Sequence, residues 1–177
     1  MLACMYCAVA LADGLHHDAS MNAPSLFWQS EKAINEKNNS TYSRAIIANQ
    51  YQDMLFILDY APEQQCRLTQ AKILLLSKEP QPAMLPISVF GKMQIDDDLV
   101  HTIELEVTSN SGDPYITLRI HRPDLDQLLF RGKQVSFHLN NYGFMNFSLK
   151  GYQDAIKNAI PTCEQLIKAN SPIPLNQ

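Results

Sequence analysis

The chain has few glycines, few charged residues and no long apolar run, and each shortage excludes a class of function. Only six of its 177 residues are glycine, and no Gly-x-Gly-x-x-Gly or Walker pattern occurs, so a phosphate-binding loop is not predicted. No apolar run reaches the roughly 20 residues that span a bilayer. The 14 Lys and Arg against 18 Asp and Glu leave no basic footprint for nucleic acid. The 46% hydrophobic content is typical of one globular domain with its own core.

Patterns that carry catalysis or bind metals are also missing. No Gly-x-Ser-x-Gly nucleophile turn is present. The acidic triplet Asp96 to Asp98 lacks the central glycine and distal glutamate of an EF-hand loop, so it predicts a solvated turn. His101, His121 and His138 have no spacing that would bring two rings to one metal ion. The sequence therefore predicts a protein that is not an enzyme, with no catalytic residue, metal or cofactor.

The N-terminus suggests export. Residues 1–12 form a mainly apolar run that ends Ala10-Leu11-Ala12 before Asp13, like the hydrophobic segment and small-residue cleavage site of a secretory signal. The basic residue that usually precedes such a run is absent. We expect residues 1–12 to be a signal segment and the protein to be periplasmic or secreted. An apolar N-terminal strand or helix is the alternative.

The cysteines fit an exported protein. Cys4 and Cys7 fall inside the expected signal segment, and no second pair with zinc-finger spacing follows them. Removal of the segment would leave Cys66 and Cys163, an even number suited to one disulfide in an oxidising compartment. Closing a loop of about 100 residues could stabilise the fold by up to about 4.7 kcal/mol. Two buried thiols are the alternative.

Short β-type runs follow residue 41. The stretch Met54 to Tyr60 is almost entirely apolar, as in a strand buried on both faces. Alternation is clearest from Leu85 to Ile95, which predicts a long strand with one apolar face. A short helix is expected from Pro123, with Gly132 just beyond its end. The predicted strands cover residues 42–48, 54–60, 66–76, 85–95, 99–107, 115–120, 134–139 and 145–149.

A strand that turns at Gly151 into an amphipathic helix closes the chain. The helical spacing of i, i+3, i+4 and i+7 recurs throughout this segment, at Tyr152, Ala155, Ile156, Ala159, Ile160, Cys163, Leu166 and Ile167. Pro161 removes a backbone donor, so we expect it to kink the helix or split it into two segments. Cys163 is predicted to point at the core.

These patterns predict one β-rich domain at residues 42–169. A mobile region at 13–41, anchored by Phe27 and Trp28, precedes it, and a loose tail follows at 170–177. The predicted fold is mainly β, as a β-sandwich or curled antiparallel sheet, with a C-terminal α-helix.

The second half of the chain resembles a known family. The resemblance lies in Met93 to Asp98, in Pro123 to Lys133, and in Phe147 to Tyr152 followed by Ala155 and Ile156. In order and character these segments are similar to the bacterial invasion-associated locus B proteins. The resemblance implies an exported β-rich domain without known catalytic residues, in a periplasmic setting, and it assigns no functional residue.

The function expected from the sequence is a non-catalytic protein-binding or accessory role. The protein would act in the envelope, in a secretion system or in virulence, on a protein partner that the sequence does not identify. An immunity protein against a periplasmic toxin belongs to the same binding class. The competing class is a hydrolase with a site assembled by the fold from His101, His121 or Asp97.

Overall fold

Nine strands and two helices form the part of the chain that the computed structural model describes, residues 25–35 and 38–170. A 3₁₀ turn, Pro62–Gln64, lies between the third and fourth strands. The strands are β1 (Gln29–Asn35), β2 (Ser40–Ala48), β3 (Met54–Tyr60), β4 (Leu68–Leu76), β5 (Met84–Ile95), β6 (His101–Ser109), β7 (Tyr115–His121), β8 (Gln134–Leu139) and β9 (Gly143–Ser148), and the helices are α1 (Leu125–Leu129) and α2 (Tyr152–Asn170).

All nine strands belong to one antiparallel sheet. Their order is β1-β2-β3-β4-β7-β6-β5-β8-β9, so most neighbours are joined by hairpins. Two connections, from β4 to β5 and from β7 to β8, join strands that are not neighbours, so β5, β6 and β7 lie in reverse order in the middle of the sheet. Every neighbouring pair runs antiparallel.

The sheet curls so that strands far apart in this order face each other. Phe56 of β3 lies with its ring centroid 5.4 Å from that of Phe137 in β8 and 5.3 Å from that of Phe147 in β9. In a flat sheet the five strand steps from β3 to β8 would separate them by about 24 Å, at about 4.8 Å a step. The sheet is therefore sandwich-like around one core, which confirms the predicted fold class.

Helix α2 closes this core against β1 and β2. Tyr152, Ala155, Ala159 and Cys163 are buried, as the helical spacing predicts. Gly151, which precedes the helix, has φ = +85°, a value that glycine adopts without strain. The expected split at Pro161 is wrong, because α2 continues through it to Asn170, while a kink there stays a prediction. The loss of one backbone hydrogen bond is compatible with a helix that is buried on both sides of the proline, at Ala159 and Cys163.

The start of the domain lies earlier than residue 42. Residues 29–35, expected to be part of a mobile region, form the edge strand β1 and pair in register with β2. This strand shows little alternation because only Ala33 in it is buried. Of the two residues predicted to anchor the region at 13–41, Trp28 is buried and Phe27 is exposed. Residues 1–24 and 171–177, which include the expected signal segment and nearly all of the expected tail, lie outside the described residues.

The long strand at residues 85–95 is confirmed as β5, but its apolar face is only half covered. Met93 and Ile95 are buried in the core, whereas Leu85 and Ile87 are exposed. The next strand, β6, begins two residues later than expected, at His101, and leaves Leu99 exposed in the turn. The two differences lie at opposite ends of β5: Leu85 and Ile87 lie where β5 has only β6 as a neighbour, whereas Leu99 lies in the turn beyond Ile95.

Candidate functional site

The predicted disulfide is present. Cys66 and Cys163 are bonded, with Cα atoms 5.7 Å apart and a sequence separation of 97. This distance is within the range that disulfides span without movement of the backbone. The bond joins helix α2 to the segment between the 3₁₀ turn and β4, so it holds the helix over the end of the core.

The residues of the hydrolase alternative do not converge. His121 pairs with Glu104 across β6 and β7, so His101, three residues before Glu104, faces the opposite side of the sheet from His121. Asp97 lies in the β5–β6 turn. No group of three His, Cys, Asp or Glu side chains suited to a metal ion occurs within residues 25–35 and 38–170. The described fold therefore assembles none of these residues into a shared site.

The aspartate triplet has a structural role at its first position. The Asp96 carboxylate accepts hydrogen bonds from the backbone N–H groups of Lys133, at 3.0 Å, and Gln134, at 2.8 Å. These bonds fix the turn after β5 to the start of β8. Its partners lie 37 and 38 residues along the chain, so the Asp96 carboxylate joins two distant segments of the chain.

One half of β5 is an open edge, which we define as the side of Met84–Gly91 that faces away from β6. On the β6 side the pairing runs from Met84 to Met93. On the other side β8 pairs only with Lys92–Ile95, and among the described residues no strand pairs with Met84–Gly91 there. Backbone N–H and C=O groups on such an edge are available to another strand.

The open edge carries large apolar side chains and no charge. Leu85 is 84% exposed and Phe90 is 72% exposed, with Ile87 also exposed between them. The chain has no charged residue between Glu79 and Lys92. Natural proteins usually protect exposed edges with charges, short strands, bulges or proline. Here only Pro86 and a register shift between Met84 and Ile87 interrupt the edge.

A stacked pair of rings lies beside the open edge. His138 of β8 stacks on Phe144 of β9, with ring centroids 4.1 Å apart and planes within 3° of parallel. His138 is the Cα partner of Lys92, the first residue of β5 that β8 covers. Phe144 is exposed. A strand added along the open edge would therefore end beside this aromatic pair.

Charged side chains lie on the outer face of the sheet, defined as the face opposite the one that carries Phe56. Arg44 of β2 is buried, and its Nε donates to Asp59 Oδ1 of β3 at 2.8 Å. Lys72 Nζ of β4 is 3.2 Å from Asp59 Oδ2. One carboxylate thus holds two cations, and the Arg44 Nη2 also donates to the hydroxyl of Tyr42 at 2.6 Å.

Asp59 and Lys72 form part of the floor of a groove of about 990 Å³. The β1–β2 hairpin and the 3₁₀ turn bound it on one side, and the β6–β7 connection bounds it on the other. Arg119 of β7 crosses the floor and bonds Glu106 Oε1 at 2.6 Å. With its side-chain amide turned, Gln70 of β4 accepts a bond from Arg119 Nη2 at 3.2 Å. The volume is at the upper end of the about 300–1,000 Å³ of ligand sites.

Neither the open edge nor the groove is among the sites that the sequence predicts. Asp59 is a signal for the groove, as a charged residue inside the apolar run Met54–Tyr60, since a buried acid needs partners. The uncharged stretch Pro80 to Gly91 is the corresponding signal for the open edge.

Comparison of the chain with family models, curated proteins and solved structures finds no match in any of the three. The resemblance to the invasion-associated locus B family stays a prediction. Among residues 25–35 and 38–170, neither helix has the length and apolar character needed to cross a membrane.

Proposed function

We propose that this protein is an exported, non-catalytic accessory domain that binds a partner protein by adding an extended segment of the partner to the open edge of β5. The observation that carries the proposal is the open edge itself. Met84–Gly91 is paired with β6 on one side only, carries no charge and exposes apolar side chains. Strand addition is a common way in which sheet proteins bind peptides.

The length of the open edge suits this mode of binding. Met84–Gly91 has eight residues, which extend over about 27 Å at about 3.3 Å a residue. Backbone hydrogen bonds along such a segment supply affinity, and the side chains on each face supply selectivity. Because the backbone bonds do not depend on sequence, the side chains decide which partner is accepted.

The partner segment is expected to be apolar and extended. Phe90 lies on the outer face beside Ser88, and Ile87 lies on the opposite face, so the added strand meets apolar surface on both sides. Ser88 Oγ donates to Glu104 Oε1 at 2.6 Å, so this carboxylate already has a hydrogen-bond donor. Because Ile87 and Phe90 lie on opposite faces, a segment with apolar residues on both of its faces would bury them most completely.

The cysteines support an oxidising compartment for this activity. Disulfides persist in the periplasm and outside the cell and are rare in the cytosol. We therefore assign the proposed binding to the bacterial envelope or its exterior, in an envelope, secretion or virulence role. Inhibition of a periplasmic toxin would use the same kind of contact.

A capture experiment with matched variants tests the proposal. The tagged protein is incubated with envelope proteins from the organism that encodes it, and captured proteins are quantified by mass spectrometry. The Leu85→Lys/Phe90→Lys variant should lose at least about 90% of one stoichiometric partner, because each lysine leaves a charge on the apolar contact. Leu99→Lys is the matched control, since Leu99 is 83% exposed but lies in the β5–β6 turn.

Hydrogen exchange then tests the mode of binding. Amides of Met84–Gly91 should gain protection when the partner binds, because those on the open edge acquire hydrogen bonds. Capture that is equal for both variants, or no capture at all, would contradict the proposal. Self-association through the same residues, seen by sedimentation, would replace the partner protein with a second copy of the chain.

A further inference from the structure

The groove on the outer face is separate from the open edge and has a different chemistry. Its floor is built by β3, β4 and β7, and its two cations, Lys72 and Arg119, are engaged by carboxylates. From this geometry we infer that the groove binds a neutral oligosaccharide. This inference does not depend on the proposed binding of a protein segment at β5.

The two cations of the groove are engaged by carboxylates, and its lining carries one more carboxylate than cations. Three carboxylates, Asp59, Glu63 and Asp113, and two cations, Lys72 and Arg119, line it. Asp59 is engaged by Arg44 and Lys72, and the Arg119 guanidinium is engaged by Glu106. Binding of a polyanion such as nucleic acid depends on an excess of cations. The described residues that line the groove have no such excess, and Glu63 and Asp113 add acceptors for hydroxyl groups, so a neutral ligand rich in hydroxyls fits it best.

Hydrogen-bonding groups of both kinds cover the groove. Amides and hydroxyls both donate and accept, so a ligand with many hydroxyls is matched without any charge. Some of these groups are held in place by bonds within the protein: Ser40 Oγ donates to Asn38 Oδ1 at 2.8 Å, and Thr69 Oγ1 donates to the carbonyl of Asp59 at 2.9 Å. Ser111 adds a further hydroxyl. The amides are those of Asn35, Asn38, Gln64, Gln70 and Asn110.

Two aromatic rings complete the site. Tyr42 and Tyr115 both line the groove, and each ring has an apolar face with a polar tip. Such rings pack against the C–H faces of sugar rings. The Arg44 guanidinium lies over one face of Tyr42, 5.3 Å from the ring centroid, and bonds its hydroxyl, so a sugar would meet the opposite face of this ring. Only Ile34 and Ala61 add aliphatic surface, so the groove lacks the series of apolar pockets that an extended peptide requires.

Calorimetric titration with cellohexaose, maltohexaose and chitohexaose tests the inference on the full chain. At least one of these neutral sugars should bind. Tyr115→Ala should weaken it about tenfold through loss of a packing face. Gln64→Ala, at an exposed position of the 3₁₀ turn, should weaken it about threefold through loss of a hydrogen bond. Tyr51→Ala is the matched control, because Tyr51 is 80% exposed in the β2–β3 turn outside the groove.

If Tyr115→Ala does not fold, the sugar affinity of Gln64→Ala tests the inference instead. The Leu85→Lys/Phe90→Lys variant should keep full affinity for the sugar, which separates this inference from the proposal at the open edge. Failure of all three sugars to bind would overturn the inference. Equal affinity in wild type and Gln64→Ala, or binding of a sulfated heparin hexasaccharide or an apolar peptide in the groove instead, would also overturn it.

Discussion

The indole Nε1 of Trp28 donates a hydrogen bond to the carbonyl oxygen of Ser148 at 2.8 Å, across 120 residues of sequence. Trp28 directly precedes β1 and Ser148 ends β9, the first and last strands in the sheet order. The ring of Trp28 also contacts Phe56 and Tyr152, with centroids 5.7 and 5.1 Å away. One side chain thus links both ends of the sheet with helix α2.

Trp28→Phe should therefore destabilise the fold. The substitution removes the donor to Ser148 and leaves its carbonyl part-buried, for a loss of about 1–3 kcal/mol in the free energy of unfolding. Urea unfolding followed by far-UV circular dichroism measures it, since Trp28 is the chain's one tryptophan. Phe27→Leu, at the exposed neighbouring position, is the control and should stay within about 0.5 kcal/mol of wild type. Equal stability of both variants would show that the link is dispensable.

Removal of the disulfide should cost more. In a Cys4→Ser/Cys7→Ser background, which prevents exchange, Cys163→Ser should lower the free energy of unfolding by about 2–5 kcal/mol. The reason is that the unfolded chain gains the freedom of a loop of 97 residues. Urea unfolding with and without reductant measures the effect. Reductant should lower the midpoint of the background protein and leave that of Cys163→Ser unchanged; sensitivity in both would refute the assignment.

Asp59 should be the charged residue whose replacement is most damaging. In Asp59→Asn, Arg44 and Lys72 lose the carboxylate they share, and an uncompensated buried charge costs about 3–5 kcal/mol. Thermal and urea unfolding measure the loss. Asp154→Asn is the control, because its pair with Lys157 is exposed and 3.9 Å long, so less than about 1 kcal/mol is expected. Similar losses in both variants would argue against a buried network.

Stability should fall as the pH rises above 10. Burial raises the pKa of Tyr60 and of Tyr152 above the ordinary value of 10.0; a hydrogen bond with Tyr60 partly offsets the rise in the pKa of Tyr152, and the charge of Asp126 adds to the rise for both tyrosines. In the unfolded chain both phenols ionise near pH 10, while the folded protein keeps both protons. Their contribution is therefore fully present below pH 10 and is lost as the pH rises further.

Tyr152→Phe should reduce the slope of this loss. Each tyrosine contributes up to about 1.4 kcal/mol per pH unit where only the unfolded chain is ionised, so removal of one should lower the slope by about half. Urea midpoints between about pH 8 and pH 11 provide the measurement. Tyr51→Phe, at an exposed position, should leave the slope as in wild type. An unchanged slope in Tyr152→Phe would contradict the assignment.

The sequence predicts those parts of the fold in which local periodicity reports burial. In β8, Val135, Phe137 and Leu139 alternate with polar residues, and the predicted bounds match the strand. Helix α2 was predicted for the same reason, and Cys163 faces the core as its spacing requires. In β8 the apolar face is covered along its whole length, and in α2 it is covered as far as Cys163, beyond which Ile167 is exposed.

The open edge has the same local pattern and a different outcome. Leu85 and Ile87 continue the alternation of Met93 and Ile95, yet they are exposed because β8 is too short to reach them. The extent of a neighbouring strand is a property of the whole sheet and leaves no trace in the periodicity of β5. The groove was missed for a related reason, since Arg44 and Asp59 meet only through the register of β2 with β3.

The bond between Cys66 and Cys163 also divides the chain mechanically. The strands from β4 to β9 lie between the two cysteines, whereas β1, β2 and β3 lie outside them. A force that pulls on the two ends of the chain is carried across the covalent bond. The segment between Cys66 and Cys163, a sequence separation of 97, therefore bears no tension. Until the bond is reduced, about 330 Å of contour length, at about 3.4 Å a residue, is withheld from extension. A tethered or translocating chain would thus lose β1 to β3 first and keep the rest of the sheet, with the open edge on it, unloaded.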